Sequence, residues 1–153
     1  MTLDPITDDK NMAAPRDHQP LRLHPGDDVR SVLVKVVSDR GDAPAFLVSG
    51  IGSLTEARLR FAGQSDDAII PGPLEIISIS GSVTSSGAHL HMSVSDGQGR
   101  VLGGHVGFGN IVRTTVEALL VFLPGWNLSR APDPVTGFDE LVIVSPHAPG
   151  LSG

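Results

Sequence analysis

The chain has 153 residues, with 18 glycines, 12 prolines and no cysteine, and its formal net charge at pH 7 is −6. This length supports one domain of about 100–200 residues and excludes several large domains. The absence of cysteine excludes disulfides, thiolate metal sites and cysteine nucleophiles, while the negative charge disfavours polyphosphate partners such as nucleic acids.

Glycine and proline together make up about a fifth of the chain, against an average share of about 12%, while 40% of the residues are hydrophobic. This composition predicts a turn-rich and strand-rich globular domain. The start of the chain contains no apolar targeting segment, and no later apolar run approaches the ~18 residues of a membrane span. We therefore expect a cytoplasmic protein without a membrane partner.

Both ends of the chain lack hydrophobic periodicity. Residues 1–20 mix charged residues with proline and glutamine, and residues 146–153 are rich in proline, glycine and serine. Neither segment can bury an apolar face of its own. We expect a disordered N-terminal tail over residues 1–20, a folded domain over residues 21–145 and a C-terminal tail over residues 146–153.

The domain begins with a short predicted strand, Leu21–Leu23, followed by one helix. Asp27 and Asp28 offer N-cap carboxylates, and Gly41 suits the position just after the helix C-cap. Apolar residues recur between them at the spacing of a single helical face. That face consists of Val29, Val32, Leu33, Val36 and Val37.

The remainder of the domain has the pattern of strands separated by turn clusters such as Ser-Gly, Asp-Gly and Pro-Gly-Pro. The predicted strands are Ala45–Gly50, Leu54–Phe61, Leu74–Val83, His89–Ser95, Val101–Val106, Ile111–Leu123 and Leu141–Val144. The pattern predicts an α+β fold, a mostly antiparallel sheet with one principal helix packed on it.

Two histidines fall on one face of the strand predicted over His89–Ser95. Because side chains alternate between the two faces of a strand, His89 and His91 point to one side and the apolar residues between and after them to the other. The segment Asp96–Arg100 that follows has the sequence of a three-residue hairpin loop, with Gly99 in the left-handed conformation that such a loop requires.

This loop length determines which residues of the next strand lie opposite the histidines. If Asp96 pairs with Arg100, His91 lies directly opposite His105, with Cβ atoms about 4.5–5.5 Å apart. The same register places Leu102 and Val106 on the apolar face, so the hydrophobic pattern supports it.

Three neutral imidazoles that converge from two neighbouring strands can bind Zn²⁺ or a similar ion and leave a fourth position for water or a ligand. The pattern therefore predicts a metal site made by His89, His91 and His105. The alternative is that these are partly exposed strand histidines that hydrogen-bond to solvent or to a subunit interface.

Four charged residues stand within apolar strands: Arg60, Glu75, Arg113 and Glu117. Since buried ions need partners, Arg60 with Glu75 and Arg113 with Glu117 are candidate salt bridges, in a subunit interface or in the polar wall of a pocket. We favour the interface, because a small sheet with apolar residues on both faces needs another subunit to cover one of them.

Five blocks of the sequence follow one another in a characteristic order: Phe46–Phe61, Gly72–Gly81, His89–His91, Gly103–His105 and Phe138–Leu141. They resemble the plants-and-prokaryotes conserved (PPC) domain family in its free-standing prokaryotic form, over nearly all of the predicted domain. The resemblance implies an α+β domain that forms homotrimers. It also implies that His89, His91 and His105 hold a divalent metal, with zinc expected first, because some prokaryotic members carry a metal on histidines.

Plant members of this AT-hook-associated family bind DNA through an Arg-Gly-Arg-Pro segment, and prokaryotic members are often described as DNA-binding-protein-like. This chain has no such tetrapeptide, and Pro73 and Leu74 replace the Arg-Phe of the block through which plant members engage transcription factors. Together with the net charge, this argues against direct DNA binding.

We therefore expect a homotrimeric, metal-binding PPC-type domain with no assigned reaction. Two alternatives stay open, a DNA-associated or transcription-regulatory module that acts through protein contacts and a small-molecule-binding trimer. In the metal-binding trimer the four charged strand residues are expected next to the metal ligands or in the subunit interface: Arg60, Glu75, Arg113 and Glu117.

Overall fold

The computed structural model describes residues 17–146. Within this range one helix and eight strands follow one another along the chain. They are β1 (His18–Leu23), α1 (Val29–Asp39), β2 (Ala45–Arg60), β3 (Ala68–Thr84), β4 (Gly87–Ser95), β5 (Val101–Val106), β6 (Ile111–Phe122), β7 (Asn127–Pro132) and β8 (Asp139–Val144). The predicted α+β class with one principal helix is confirmed.

Helix α1 begins and ends where the sequence indicates. The Asp28 side chain caps its N-terminus by accepting a 2.7 Å hydrogen bond from the backbone N–H of Ser31. Gly41, just after the C-cap, has a φ of +67°, in the left-handed region that favours glycine. The buried side chains of the predicted apolar face pack into the core: Val29, Leu33 and Val37.

Six strands form one antiparallel sheet in the order β1-β6-β2-β3-β4-β5, and β5 also pairs with β2. This second pairing makes β2, β3, β4 and β5 curl into a closed arrangement. The β2–β5 pairing extends over only two residue pairs, Leu59 with Val106 and Arg60 with His105. Strands β7 and β8 form a separate hairpin.

Several element boundaries differ from the sequence prediction. Strand β1 begins at His18, not Leu21, because residues from His18 onward pair with β6. The two strands predicted over 45–61 are one continuous strand, and β3 begins at Ala68, well before Leu74. Of the tails predicted over 1–20 and 146–153, residues 1–16 and 147–153 lie outside the described residues.

Two features of the strands differ from the sequence analysis for identifiable reasons. Strand β7 was not predicted, because its sequence, Asn-Leu-Ser-Arg-Ala-Pro, combines turn-favouring residues with a terminal proline. Leu102 is 42% exposed although it was assigned to the core. It pairs with Val94 on one side, but β2 pairs with β5 only at His105 and Val106, so Leu102 lies at an uncovered edge.

Among residues 17–146, the structure contains no helix with the length and apolarity that a membrane crossing needs.

Candidate metal centre

The β4–β5 hairpin has the predicted register, with His91 directly opposite His105. The loop between the strands is closed by a 3.0 Å hydrogen bond from Asp96 N–H to the Arg100 carbonyl, and Gly99 has a φ of +78°. The Asp96 carboxylate also accepts a 2.7 Å bond from Arg100 Nε. The loop chemistry thus fixes the pairing that brings the histidines together.

The three predicted ligands converge on one point. A nitrogen from each of His89, His91 and His105 lies within 4.8 Å of the others, and His91 Nε2 is 3.0 Å from His105 Nδ1. Ligand nitrogens around a tetrahedral zinc ion lie about 3.3 Å apart, given Zn–N bonds of about 2.0–2.1 Å. Only a small movement of the imidazoles therefore separates this arrangement from a three-coordinate metal site.

A glycine next to His105 makes this geometry possible. Gly104 passes so close to β2 that a methyl group on it would lie 2.6 Å from the carbonyl oxygen of Arg60. Because Gly104 has no side chain, β5 can pair with β4 and β2 at once. That double pairing places Arg60 opposite His105 and closes one side of the site.

The electrostatic environment favours the neutral form of two of the imidazoles. Burial lowers the pKa of His89, and the positive charge of Arg130 and the neighbouring His91 and His105 lower it further, while Glu140 opposes them. Burial also lowers the pKa of His105, with additional contributions from His91 and Arg60. A neutral imidazole offers its lone pair to a metal without first losing a proton.

The β7–β8 hairpin contributes two side chains that the sequence analysis did not select. Arg130 donates a 3.0 Å hydrogen bond from Nη2 to the Ser82 hydroxyl, and Ser82 is the strand partner of His89. Glu140 lies close enough to His89 to act on its pKa. Only the Phe138–Leu141 block, noted through the family resemblance, pointed to this region.

Of the four charged strand residues, the structure brings only Arg60 to the histidines. Glu75 is exposed and pairs with Ser95, at the far end of β4. Arg113 and Glu117 are exposed on β6, which pairs with neither β4 nor β5. Their assignment to a subunit interface stays a prediction.

The two candidate salt bridges are not formed. Between residues 17 and 146, no ion pair joins Arg60 to Glu75 or Arg113 to Glu117; Arg60 instead donates a 3.3 Å hydrogen bond from Nη1 to the Gln64 carbonyl. The Arg60–Glu75 pairing fails because Glu75 pairs with Ser53, several positions along β2 from Arg60. Arg113 and Glu117 are four residues apart on the extended strand β6, about 13 Å at ~3.3 Å per residue.

An open cleft of about 1050 Å³ adjoins the histidines. Its lining includes His89 and His105, and it receives side chains from the helix, from β2, from the loop after β5 and from the β7–β8 hairpin. A bound metal at the histidines would therefore face a space large enough for a small organic molecule.

Comparison with known proteins identifies relatives of this fold. Residues 13–123 match the model of the Plants and Prokaryotes Conserved (PCC) domain. A solved hypothetical protein from Salmonella cholerae-suis is 41% identical, with a TM-score of 0.81, and the match covers 84% of this chain and 93% of that one. A solved metal-containing protein from Archaeoglobus fulgidus is 27% identical, with a TM-score of 0.69 and coverage of 82% and 92% respectively.

A curated relative, the bifunctional protein GlmU of Synechococcus sp. (strain JA-2-3B'a(2-13)), is 41% identical over 124 residues. These residues are 81% of this chain but only 20% of that protein. The chain thus spans about a fifth of the length of the curated relatives it matches, and it corresponds to one part of a larger polypeptide there.

Proposed function

The chain belongs to the Plants and Prokaryotes Conserved domain family, and we propose that it is a homotrimeric metal-binding domain. His89, His91 and His105 hold a divalent transition metal, with zinc the expected ion. The observation that carries this proposal is the convergence of three imidazole nitrogens within 4.8 Å of one another. Three protein ligands leave a fourth coordination position for water or another ligand, and two of the three, His89 and His105, line the cleft.

The chemistry of the site supports this assignment. Imidazole suits zinc and other borderline metals, and the chain offers no thiolate that would compete for them. The lowered pKa values of His89 and His105 keep both rings neutral at physiological pH. His91 is exposed, so that an ion can reach the site from solvent.

A related protein gives independent support for the proposed metal site. The Archaeoglobus fulgidus protein, 27% identical and similar in fold, is named as metal-containing. Because this chain places three histidines where two strands of the shared fold meet, the same kind of site is proposed for it.

The trimer is supported by an exposed apolar surface. Val48 and Ile51 on β2 and Ile69 and Ile77 on β3 are each more than half exposed, at 54–56%. Ile51 and Ile77 lie beside the Gly52–Ile76 pair of adjacent strands, and apolar side chains exposed together on a sheet indicate a surface that another molecule covers. We assign that cover to further copies of the chain, in agreement with the family resemblance.

The metal content of the protein tests the proposal. Protein purified without an affinity tag or chelator is expected to contain about one transition-metal ion per chain by elemental analysis. A His89→Ala/His91→Ala/His105→Ala variant should contain none. A His24→Ala variant is the matched control, because His24 is exposed between β1 and α1, is not part of the histidine cluster and, among residues 17–146, has its one ion-pair contact with Asp27. A metal-free wild-type protein that also takes up no added zinc would contradict the proposal.

A further inference from the structure

Arginines approach the histidine cluster from two different parts of the fold. Arg60 lies opposite His105 in the β2–β5 pair. Arg130 reaches across from β7 to Ser82, the strand partner of His89. Both arginines line the cleft that adjoins the histidines.

A third arginine comes from the helix. Arg30 donates a hydrogen bond from Nη1 to the carbonyl of Val106, the residue after His105, and its guanidinium carbon lies 4.8 Å from the centre of the Phe108 ring. Its Nε–H is buried and has no hydrogen-bond partner. Burial lowers the pKa of Arg30, although Asp28 and Asp67 partly compensate.

These three arginines are not neutralised by direct ion pairs. Within residues 17–146, no carboxylate oxygen lies within 4.0 Å of a nitrogen of Arg30, Arg60 or Arg130. The cleft also carries three carboxylates, on Asp67, Asp139 and Glu140, so its charged side chains balance in number. A divalent ion on the histidines would leave the cleft with a net positive charge.

Three guanidinium groups and a nearby metal ion are all positively charged and repel one another. An anion bound between the metal and the guanidinium groups is attracted by all of them. Guanidinium groups match the planar oxygens of carboxylate and phosphate and bind them through paired N–H groups. We propose that the metal takes an anionic group of a small organic molecule, a carboxylate or a phosphate, as its fourth ligand. The remaining oxygens accept hydrogen bonds from Arg60 and Arg130, with Arg30 behind them.

The rest of the cleft can contact an apolar part of this ligand. Phe108, after β5, and Phe138, before β8, both line the cleft and are 60% and 72% exposed. They offer ring surfaces on which an apolar or aromatic group can pack. The inference rests on the proposed metal site and adds to it the chemical class of the ligand.

The test uses protein loaded with cobalt(II), because the visible absorption of this ion depends on the ligands and geometry around it. Phenyl phosphate, benzoate and the uncharged benzyl alcohol are titrated separately, in a buffer free of carboxylate and phosphate. We expect at least one of the two anions to change the cobalt spectrum, with a change that reaches a plateau as the anion concentration increases. Benzyl alcohol should leave the spectrum unchanged. The tighter of the two anions identifies the group that the site prefers.

Variants separate the role of the arginines from that of the metal. Arg60→Gln and Arg130→Gln are each expected to weaken anion binding at least about tenfold, since each removes charge-assisted hydrogen bonds, while cobalt still binds at one ion per chain. Arg130→Lys retains the charge without the paired geometry and should fall between wild type and Arg130→Gln. Arg22→Gln is the control, because Arg22 is exposed on β1, at the other end of the sheet order.

The outcomes distinguish this inference from the proposed function. If cobalt binds but neither anion alters its spectrum, the anion site is overturned and the metal site stands. If the anions bind equally well to the Arg60→Gln and Arg130→Gln proteins, the role of the arginines is overturned. If neither cobalt nor zinc binds, the proposed function itself fails.

Discussion

The Nε2 atom of His91 lies 3.0 Å from the Nδ1 atom of His105, and the two residues are direct strand partners in the β4–β5 hairpin. Directly opposed residues project from the same face of a sheet at short range, so this pairing presents two imidazole nitrogens to one point. His89, two residues before His91, adds the third from the same face.

Replacing Gly104 by alanine is expected to damage both the sheet and the site. The added methyl would lie 2.6 Å from the Arg60 carbonyl, so β5 must move away from β2. We expect a loss of about 1–3 kcal/mol in the free energy of unfolding, typical of overpacking, together with weaker zinc binding. Urea unfolding and zinc titration measure the two effects.

Gly97→Ala is the control for this change, because a methyl group at the hairpin tip would meet no atom within 4 Å. It should leave stability and zinc affinity close to wild type. If Gly104→Ala and Gly97→Ala had the same stability and the same zinc affinity, the close approach of β5 to β2 would not matter for the site.

Replacing Asp28 by alanine is expected to destabilise the domain by about 1–3 kcal/mol. The carboxylate caps helix α1 at Ser31 and also accepts hydrogen bonds from the backbone N–H groups of Gly109 and Asn110. It therefore ties the helix to the loop that carries Phe108. Chemical unfolding provides the measurement.

Asp39→Ala serves as the reference for Asp28→Ala, since Asp39 is exposed and, within the described part of the chain, forms an ion pair only with Lys35 on the helix surface. Exposed pairs of this kind contribute about 0.5 kcal/mol or less. A destabilisation by Asp28→Ala that is no larger than that of Asp39→Ala would contradict the bridging role.

Zinc affinity is expected to fall as the pH is lowered, because protons compete for the imidazole nitrogens. The pKa values of His89 and His105 are shifted below the ordinary 6.5, so that protons compete at these two rings at a lower pH than at a free imidazole. Arg60→Gln removes a positive charge that lowers the pKa of His105, and competition should then begin at a higher pH. Zinc titrations across a pH series measure the shift. If proton competition in the Arg60→Gln variant began at the same pH as in the wild type, or at a lower pH, this account of the site's electrostatics would be contradicted.

The proposed homotrimer predicts a solution mass near three times 16.0 kDa by light scattering. Ile51→Glu or Ile77→Glu introduces a charge into the exposed apolar surface of β2 and β3 and is expected to yield monomers. Val135→Glu is the control, since Val135 is 91% exposed in the loop between β7 and β8 and belongs to neither β2 nor β3. A monomeric wild-type protein would contradict the proposed trimer.

Direct DNA binding is not expected, because the chain carries 11 Lys and Arg against 17 Asp and Glu. A protein that neutralises phosphates loses affinity steeply as salt increases. Titration of a labelled duplex at several salt concentrations should show no such slope. Tight binding that weakens steeply with salt would overturn this expectation.

The sequence predicts the local features of the site well, because they depend on local chemistry. Asp96, Gly99 and Arg100 specify the hairpin loop, the loop specifies the register, and the register places His91 opposite His105. Helix α1 was predictable for the same reason, since its cap, its apolar face and Gly41 are all near one another in the chain.

The parts that the sequence does not predict depend on contacts between distant residues. Nothing local indicates that β5 pairs with β2 as well as with β4, although the glycine before His105 is consistent with it. Arg130 reaches His89 only because an unrecognised hairpin folds back against β3. Conversely, the Arg60–Glu75 pair was suggested by residue type alone, and the sheet keeps those residues apart.

Anomalous X-ray diffraction at the zinc absorption edge, from crystals of the protein loaded with zinc, tests the central claim most directly. The account predicts one strong peak per chain, within bonding distance of about 2.0–2.1 Å of a nitrogen from each of His89, His91 and His105. Crystals with no anomalous peak between these three side chains, or with zinc bound only elsewhere, would contradict it.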